Sequence, residues 1–307
     1  MNARSRRAAP GHEPVVAGIR ISHPDRIVYP ERGITKLDVA RYYETIGPWI
    51  VPHVAGRPLT LVHCPQGIGA PCNYLKHSKL WGPTVIRRVR IQEKTKVGDY
   101  MVADDAHAVV ALAQMGVIEV HTWNSIDRDI ERPNRIVWDL DPGPHVRWPQ
   151  VVAAARTVRE ILETLRLRSW VKTTGGAGLH VIAPVAPVRD WSECLAFARA
   201  VAEALVRANP LYTTRFPKAG RESQILIDFM RNNRTNTSVA AFSLRARPGA
   251  AVSVPLRWEQ LTTRVRPAAF TLESVPRRFA RQQDPWIDYW RCRQRLSDAA
   301  IRAVTAL

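Results

Sequence analysis

The segment Arg135-Ile136-Val137-Trp138-Asp139-Leu140-Asp141-Pro142 constrains the fold more than any other stretch of this chain. It reads as a buried strand. Alternation places Ile136, Trp138 and Leu140 on one face and Val137, Asp139 and Asp141 on the other. Two carboxylates held on one buried face repel each other and lose water, so something positive has to lie against them. A divalent metal is the simplest candidate, because hard oxygen ligands suit magnesium or manganese. Asp228, in the apolar run Gln224-Ile225-Leu226-Ile227-Asp228-Phe229, offers a third carboxylate. The plainer readings are a turn-forming role for Asp141 before Pro142 and a salt bridge to a nearby arginine for Asp228.

Composition bears on what such a site would act upon. The 307-residue chain carries a net charge of +18, and of its 45 basic residues only seven are lysine. Arginine presents a planar fork that grips phosphate bidentately, and a strongly basic globular chain favours polyanions. Three strand-borne acids in such a protein point to metal-assisted phosphoryl chemistry on nucleic acid. A hydrophobic fraction of 46% is enough for a substantial core.

The four cysteines, at 64, 72, 194 and 292, form no dense framework, so reduced thiols and a cytoplasmic protein are expected. His63, Cys64, Cys72 and His77 lack the C-x₂-C spacing of a zinc knuckle. Residues 1–14 are basic and polar without an apolar core, which suggests a disordered arm rather than a signal peptide. No apolar run approaches the ~20 residues of a membrane span.

Strand and helix signals alternate, giving a mixed α/β class. Thr35 and Asp38 form a capping signal for a first helix. Strands are expected at 59–63, 72–76 and 117–122, with a helix over 104–115 and a loop over 127–134. Asp-Pro-Gly-Pro breaks the chain after Asp141, and Pro149 opens a helix. Its stripe is Val151, Ala155, Val158, Leu162 and Leu165. Strands at 170–173 and 179–183 flank a glycine turn, and Asp190 to Glu193 is a capping box for a helix running to about Ala208. The Asp228 strand and an extended stretch over 238–244 follow, and helical character is expected from Pro285. The domain reading is an arm over 1–18, a catalytic body over 19–264 and an Arg-rich segment over 265–307 packed on it.

Three further constellations bear on chemistry. The hairpin Lys172-Thr173-Thr174-Gly175-Gly176-Ala177-Gly178-Leu179-His180 has glycines that let backbone N–H groups approach an anion. It is not a Walker loop, because no G-K-[ST] follows and the next element is a strand. Its plainer reading is a tight hairpin. A basic run of Lys218, Arg221, Arg231, Arg234 and Arg245 brackets Asp228, suited to holding triphosphate or forming a solvated rim. Near the start, His23, Arg26 and Lys36, the last in the first turn of a helix, are candidates to meet on one phosphate.

These residues together resemble the primase-polymerase domain of bacterial DNA ligase D, a branch of the archaeo-eukaryotic primase superfamily. The matching motifs are His23-Pro24-Asp25-Arg26 with Gly33-Ile34-Thr35-Lys36, Ala55-Gly56-Arg57-Pro58-Leu59, Leu75-Lys76-His77, Glu119-Val120-His121, Trp138-Asp139-Leu140-Asp141-Pro142, Gly178-Leu179-His180, Ile227-Asp228, and Ser243-Leu244-Arg245-Ala246-Arg247-Pro248. The resemblance implies a primase-like core with two small β-sheets facing a central cleft and flanking helices. It implies a metal-binding catalytic triad of Asp139, Asp141 and Asp228. By the same resemblance, Tyr74 stacks on the nucleotide base, and His121, Thr174 and Arg245 contact the nucleotide. His180 lies near its phosphates, and His23, Arg26 and Lys36 hold a DNA 5′-phosphate. Lys172 of the hairpin and Arg231 of the basic run are further nucleotide-binding candidates on the reading of the residues alone.

The implied activity is template-directed addition of nucleotides to a primer 3′-hydroxyl at gaps or double-strand breaks. It would use two manganese or magnesium ions and NTP or dNTP, with ribonucleotides preferred. Competing readings are a non-catalytic 5′-phosphate end-binding module and a primase that starts chains unprimed. The sequence departs from the pattern in having Asn73-Tyr74 where two aromatics are usual, Thr174 for a serine, and Ala177 where some members have lysine. It contains no ligase or nuclease domain, so a stand-alone relative is expected, working with a separate ligase and an end-binding protein, near the bacterial nucleoid and away from membranes.

Overall fold

The computed structural model describes residues 13–77 and 83–305. The strand Arg135–Pro142 lies inside a six-stranded sheet. It pairs antiparallel with Leu179–Pro184 on one side and with Ile225–Asp228 on the other. Trp170–Thr173 and Pro255–Leu256 extend the sheet beyond Leu179–Pro184, and Tyr212–Thr213 closes the opposite edge. The alternation anticipated for the central strand is present. Ile136, Trp138 and Leu140 enter the main core, where Trp138 Nε1 donates to the Ala198 carbonyl at 3.0 Å.

That core face is covered by helices Trp148–Thr164 and Trp191–Ala208. The stripe of Val151, Ala155, Val158, Leu162 and Leu165 is buried, each larger side chain contributing about 1.5–3 kcal/mol. Asp190 and Glu193 form the capping box of the second helix. On the other face, Val137 packs with Trp170, Ile182, Trp286 and Tyr289.

A second, four-stranded sheet orders Ser238–Val239, Val117–Thr122, Leu59–His63 and Asn73–Leu75. The helix Lys36–Val54 begins at the expected Thr35 and Asp38 capping box and packs on helix Ala106–Gln114. Tyr43 of the first helix donates to the Ile118 carbonyl of the sheet at 2.9 Å.

Several expectations need correction. Extended structure after Ser238 stops at Val239, because the chain turns through Phe242, whose φ is 65°. Among the described residues of the last forty, α-helix is confined to Ser274–Phe279 and Asp298–Val304. Around Pro285 the chain instead forms turns, which let Trp286 donate to the Val171 and Leu256 carbonyls at 3.1 and 3.3 Å. The expected arm lies largely outside the described residues. Within 13–18, Val15–Val16 pairs with Ile19–Arg20 and Val16 is buried.

The expectation of reduced thiols fails for two cysteines: Cys64 and Cys72 form a disulfide. The sheet register explains it. His63 pairs with Asn73, so residues 64 and 72 are the next opposed pair, with Cα atoms 4.5 Å apart. The bond also removes both sulfurs as zinc ligands, and His77 is engaged by Glu93 at 2.7 Å.

Candidate active site

A cavity of about 380 Å³ opens between the two sheets. From the six-stranded sheet come Asp139, Asp141 and His180, and from the four-stranded sheet His121, Ser238 and Val239. Thr174, Gly176, Ala177 and Gly178 of the hairpin, with Lys218, Arg231, Arg245 and Arg247, complete the wall. The cleft therefore sets acids against a group of cations.

Strand register assembles the acids. Asp139 is paired directly with Asp228 on one neighbour and with His180 on the other. The positive partner that their burial demands is an arginine. Arg231 contacts Asp139 Oδ2 through Nη2 at 3.0 Å and Asp228 Oδ2 through Nε at 3.0 Å. Arg221, almost fully buried, pairs with Asp141 at 3.0 Å. Burial opposes ionisation of Asp139, yet His180, Arg231 and Lys172 hold its carboxyl well below the usual carboxylate range. Asp228 goes the other way. Burial pushes it up to about 6, with Asp139 and Asp141 adding and Arg231 opposing. Burial lowers His180 to about 4, helped by Lys172.

Carboxylates on neighbouring strands, Asp139 opposite Asp228 and Asp141 two residues along, are the donor chemistry of a hard divalent cation. The donors thus fit the implied metal. As the side chains stand, however, among the described residues no three of His, Cys, Asp or Glu form a ready ligand group. Arg231 lies where Asp139 and Asp228 converge.

The hairpin is held against the central strand. A Cβ on Gly178 would lie 2.4 Å from the Leu140 carbonyl, and one on Gly175, whose φ is 71°, 2.6 Å from Arg245 Cγ. Glycine at these positions is a requirement of close approach. Thr174 Oγ1 donates to the Gly178 carbonyl at 3.2 Å, and Arg245 donates to the Thr174 carbonyl.

Other expected residues fall differently. Lys172 does not reach the cleft: it is buried behind it, donating to Ser253 Oγ at 2.7 Å, and burial holds its pKa well below the usual lysine value. Tyr74 is 73% exposed at the rim, its ring 6.4 Å from that of His121. Arg234 points away and pairs with Glu131 at 2.7 Å. Arg26 and Lys36 meet at a separate small cavity shared with Cys64 and Gln114, but exposed His23 is not among its lining residues. Lys36 Nζ donates to the Ser22 carbonyl at 3.0 Å, and burial together with Arg26 lowers its pKa to about 8.

Two residues that brace the cleft carried no earlier assignment. Glu119, buried, accepts from His121 Nε2 at 2.8 Å and pairs with Arg245 Nε at 3.0 Å, orienting two cleft-lining side chains. Burial opposes its ionisation, but His121 and Arg245 hold it at about 2. Asn232 ties the central strand to the turn bearing Arg231. The Glu-x-His spacing was a usable signal for the first. Nothing in the sequence marks the second.

A cleft between two sheets, with acids on a central strand and cations around a glycine hairpin, defines the architecture of a nucleotidyltransferase. The chain belongs to the LigD primase-polymerase family: the model of the LigD primase-polymerase domain matches residues 35–286. The multifunctional non-homologous end joining protein LigD of Pseudomonas aeruginosa is 36% identical over 292 residues, covering 93% of this chain and 34% of the relative. Its counterpart from Mycolicibacterium smegmatis is 33% identical over 246 residues, covering 79% and 32%. The chain thus spans about a third of these relatives. The polymerase domain of Mycobacterium tuberculosis ligase D, solved in complex with DNA, superposes with a TM-score of 0.82 at 28% identity, covering 87% of this chain and 96% of that one. The protein is accordingly an enzyme of the nucleotidyltransferase class, built on the polymerase fold of LigD.

Proposed function

We propose that this protein extends a primer 3′-hydroxyl at gaps or double-strand breaks in DNA, with ribonucleotides preferred, as a step of end-joining repair. The observation that carries this reading is the cleft itself, a space of about 380 Å³ whose wall joins Asp139 and Asp141, with Arg231 in contact with Asp139, to Lys218, Arg245 and Arg247. The reaction joins the primer 3′-oxygen to the nucleotide α-phosphorus and releases pyrophosphate. Asp139, Asp141 and Asp228 would hold two manganese or magnesium ions, which when bound supply activation of the hydroxyl and neutralise phosphate charge. Arg231 would then exchange its carboxylate partners for phosphate.

Arg245, Arg247 and Lys218 bind the triphosphate, the hairpin limits its approach, and His180 holds Asp139 in place at 3.3 Å. Tyr74 offers a stacking face to the base, and His121 and Thr174 meet the nucleotide. Arg26 and Lys36 take the 5′-phosphate on the downstream side of the gap. The name of the P. aeruginosa relative and the DNA bound to the M. tuberculosis domain support the setting.

The test is extension of a labelled primer across a one-nucleotide gap, with and without a downstream 5′-phosphate, in manganese or magnesium and with rNTP or dNTP. Extension by wild type that Asp139→Ala abolishes supports the reading. Folded wild type that binds the DNA without extending it overturns it.

A further inference from the structure

The cavity shared by Arg26 and Lys36 holds a third chemically distinctive group. Its lining is Arg26, Val28, Lys36, Val39, Cys64, Pro65, Gln114 and neighbouring apolar residues, with no carboxylate among them. Two cations on a wall that carries no carboxylate, with Glu13 acting on Lys36 from outside it, make an electropositive pocket, and Cys64 is part of that wall. The same sulfur is bonded to Cys72. The loop that this bond closes is attached to the pocket as well, since Arg26 Nη1 donates to the Pro65 carbonyl at 2.7 Å and Ile68 N to the Val28 carbonyl at 2.9 Å. Cys64 is buried, whereas Cys72 is partly exposed, so a reductant meets Cys72 first.

We propose that Cys64–Cys72 is a reversible thiol–disulfide site that sets the affinity of the Arg26/Lys36 pocket for a terminal phosphate, and that a dithiol is its reducing partner. This rests on the reading of that pocket as a 5′-phosphate site. In the oxidised protein the Cys64 sulfur is uncharged, and both cations are available to a phosphate. In the reduced protein the Cys64 thiolate left by the exchange is the pocket's own anion, held as such by the ammonium and guanidinium on the same wall against the opposing effect of its burial. The internal thiolate then competes with the phosphate for the same two charges.

Reduction proceeds by thiol–disulfide exchange. The thiolate of the dithiol attacks Cys72 Sγ, the Cys64–Cys72 bond breaks, and the electron pair leaves on Cys64 Sγ. The second thiol of the reductant then attacks its own sulfur in the mixed disulfide and expels Cys72, which takes up a proton, while the reductant departs as a disulfide. Arg26 and Lys36 assist by stabilising the Cys64 thiolate as leaving group. Two electrons pass from the dithiol to the protein.

The experiment measures binding of one-nucleotide-gap DNA by fluorescence anisotropy, comparing a 5′-phosphate with a 5′-hydroxyl end. Oxidised protein and protein reduced with dithiothreitol are compared, with thiols counted by alkylation and mass spectrometry. The 5′-phosphate preference should fall about fivefold on reduction, the size of one partly exposed ion pair. Cys72→Ser, which frees Cys64, should show the low preference whether or not dithiothreitol is present. Cys64→Ser opens the same loop without a thiolate and should keep the high one.

A phosphate preference equal in the two redox states, with the thiols shown to have changed, overturns the proposal and leaves the pocket standing. Equal loss in Cys64→Ser and Cys72→Ser overturns the thiolate in favour of a mere brace. No preference for the 5′-phosphate in any form removes the pocket reading and this proposal with it.

Discussion

Replacing Asn232 with alanine should cost the protein about 4 kcal/mol of stability, although the residue is a polar side chain in a short turn. The ladder between the central strand and Ile225–Asp228 runs only from Asp139 to Pro142. Beyond it no strand among the described residues flanks the Val137 backbone on that side. The Asn232 amide fills the place, accepting from Val137 N at 2.8 Å and donating to the Val137 carbonyl at 2.7 Å. Two other partners survive the substitution. The Phe229 carbonyl still accepts from Asn232 N at 3.1 Å, and Asn124 Nδ2 still donates to the Arg231 carbonyl at 3.0 Å.

The loss is therefore confined to one buried N–H and one buried C=O, each costing about 1–3 kcal/mol when left unpaired. Urea denaturation followed by tryptophan fluorescence measures it, with Asn233→Ala as the neighbouring control expected to change stability by less than about 0.5 kcal/mol. A loss below about 1 kcal/mol for Asn232→Ala would mean that water satisfies Val137 and that the amide is no substitute strand. The turn holding Arg231 should also loosen, so nucleotide addition should fall more steeply than stability at 25 °C predicts.

Glu119→Gln tests the electrostatics of the cleft. With its folded-state pKa depressed to about 2, Glu119 contributes stability that is fully present above its unfolded pKa near 4.5 and is lost as pH falls from there through about 2. The linked stabilisation is about 3 kcal/mol, so wild type and variant should converge in denaturation midpoint at the acid end and separate near neutral pH. Gly178→Ala places a methyl 2.4 Å from the Leu140 carbonyl; thermal unfolding should shift down by about 2 kcal/mol or more, and extension should drop as the hairpin moves off the cleft. Tyr74→Ala should leave thermal stability unchanged, since the ring is 73% exposed, while raising the nucleotide KM by about tenfold, the scale of one base–aromatic stack.

Much of this was readable from residue order. Alternation in Arg135–Pro142 assigned the faces of the central strand, and the four- and three-residue spacing of Val151 to Leu165 assigned the buried side of its covering helix, because both periods are local geometry. Both capping boxes were found where Thr35 and Asp190 stand, since a cap needs only residues three apart. Asp139, Asp141, His180, Thr174 and Arg245 were named from the chain and do line one cleft.

What failed was whatever depends on a distant partner. Lys172 turned inward because Ser253, 81 residues away, offers its hydroxyl there. The turns after Pro285 follow from docking Trp286 on two carbonyls of the large sheet, a contact with no local period. The disulfide required knowing that His63 stands opposite Asn73. The order of residues was enough to specify the strands, helices, caps and chemical types of the site, because these rest on interactions within one turn or one strand. Which cation neutralises the acids, which cysteines bond and which amide completes the sheet depended on register and packing, which bring together groups that only the folded chain makes neighbours.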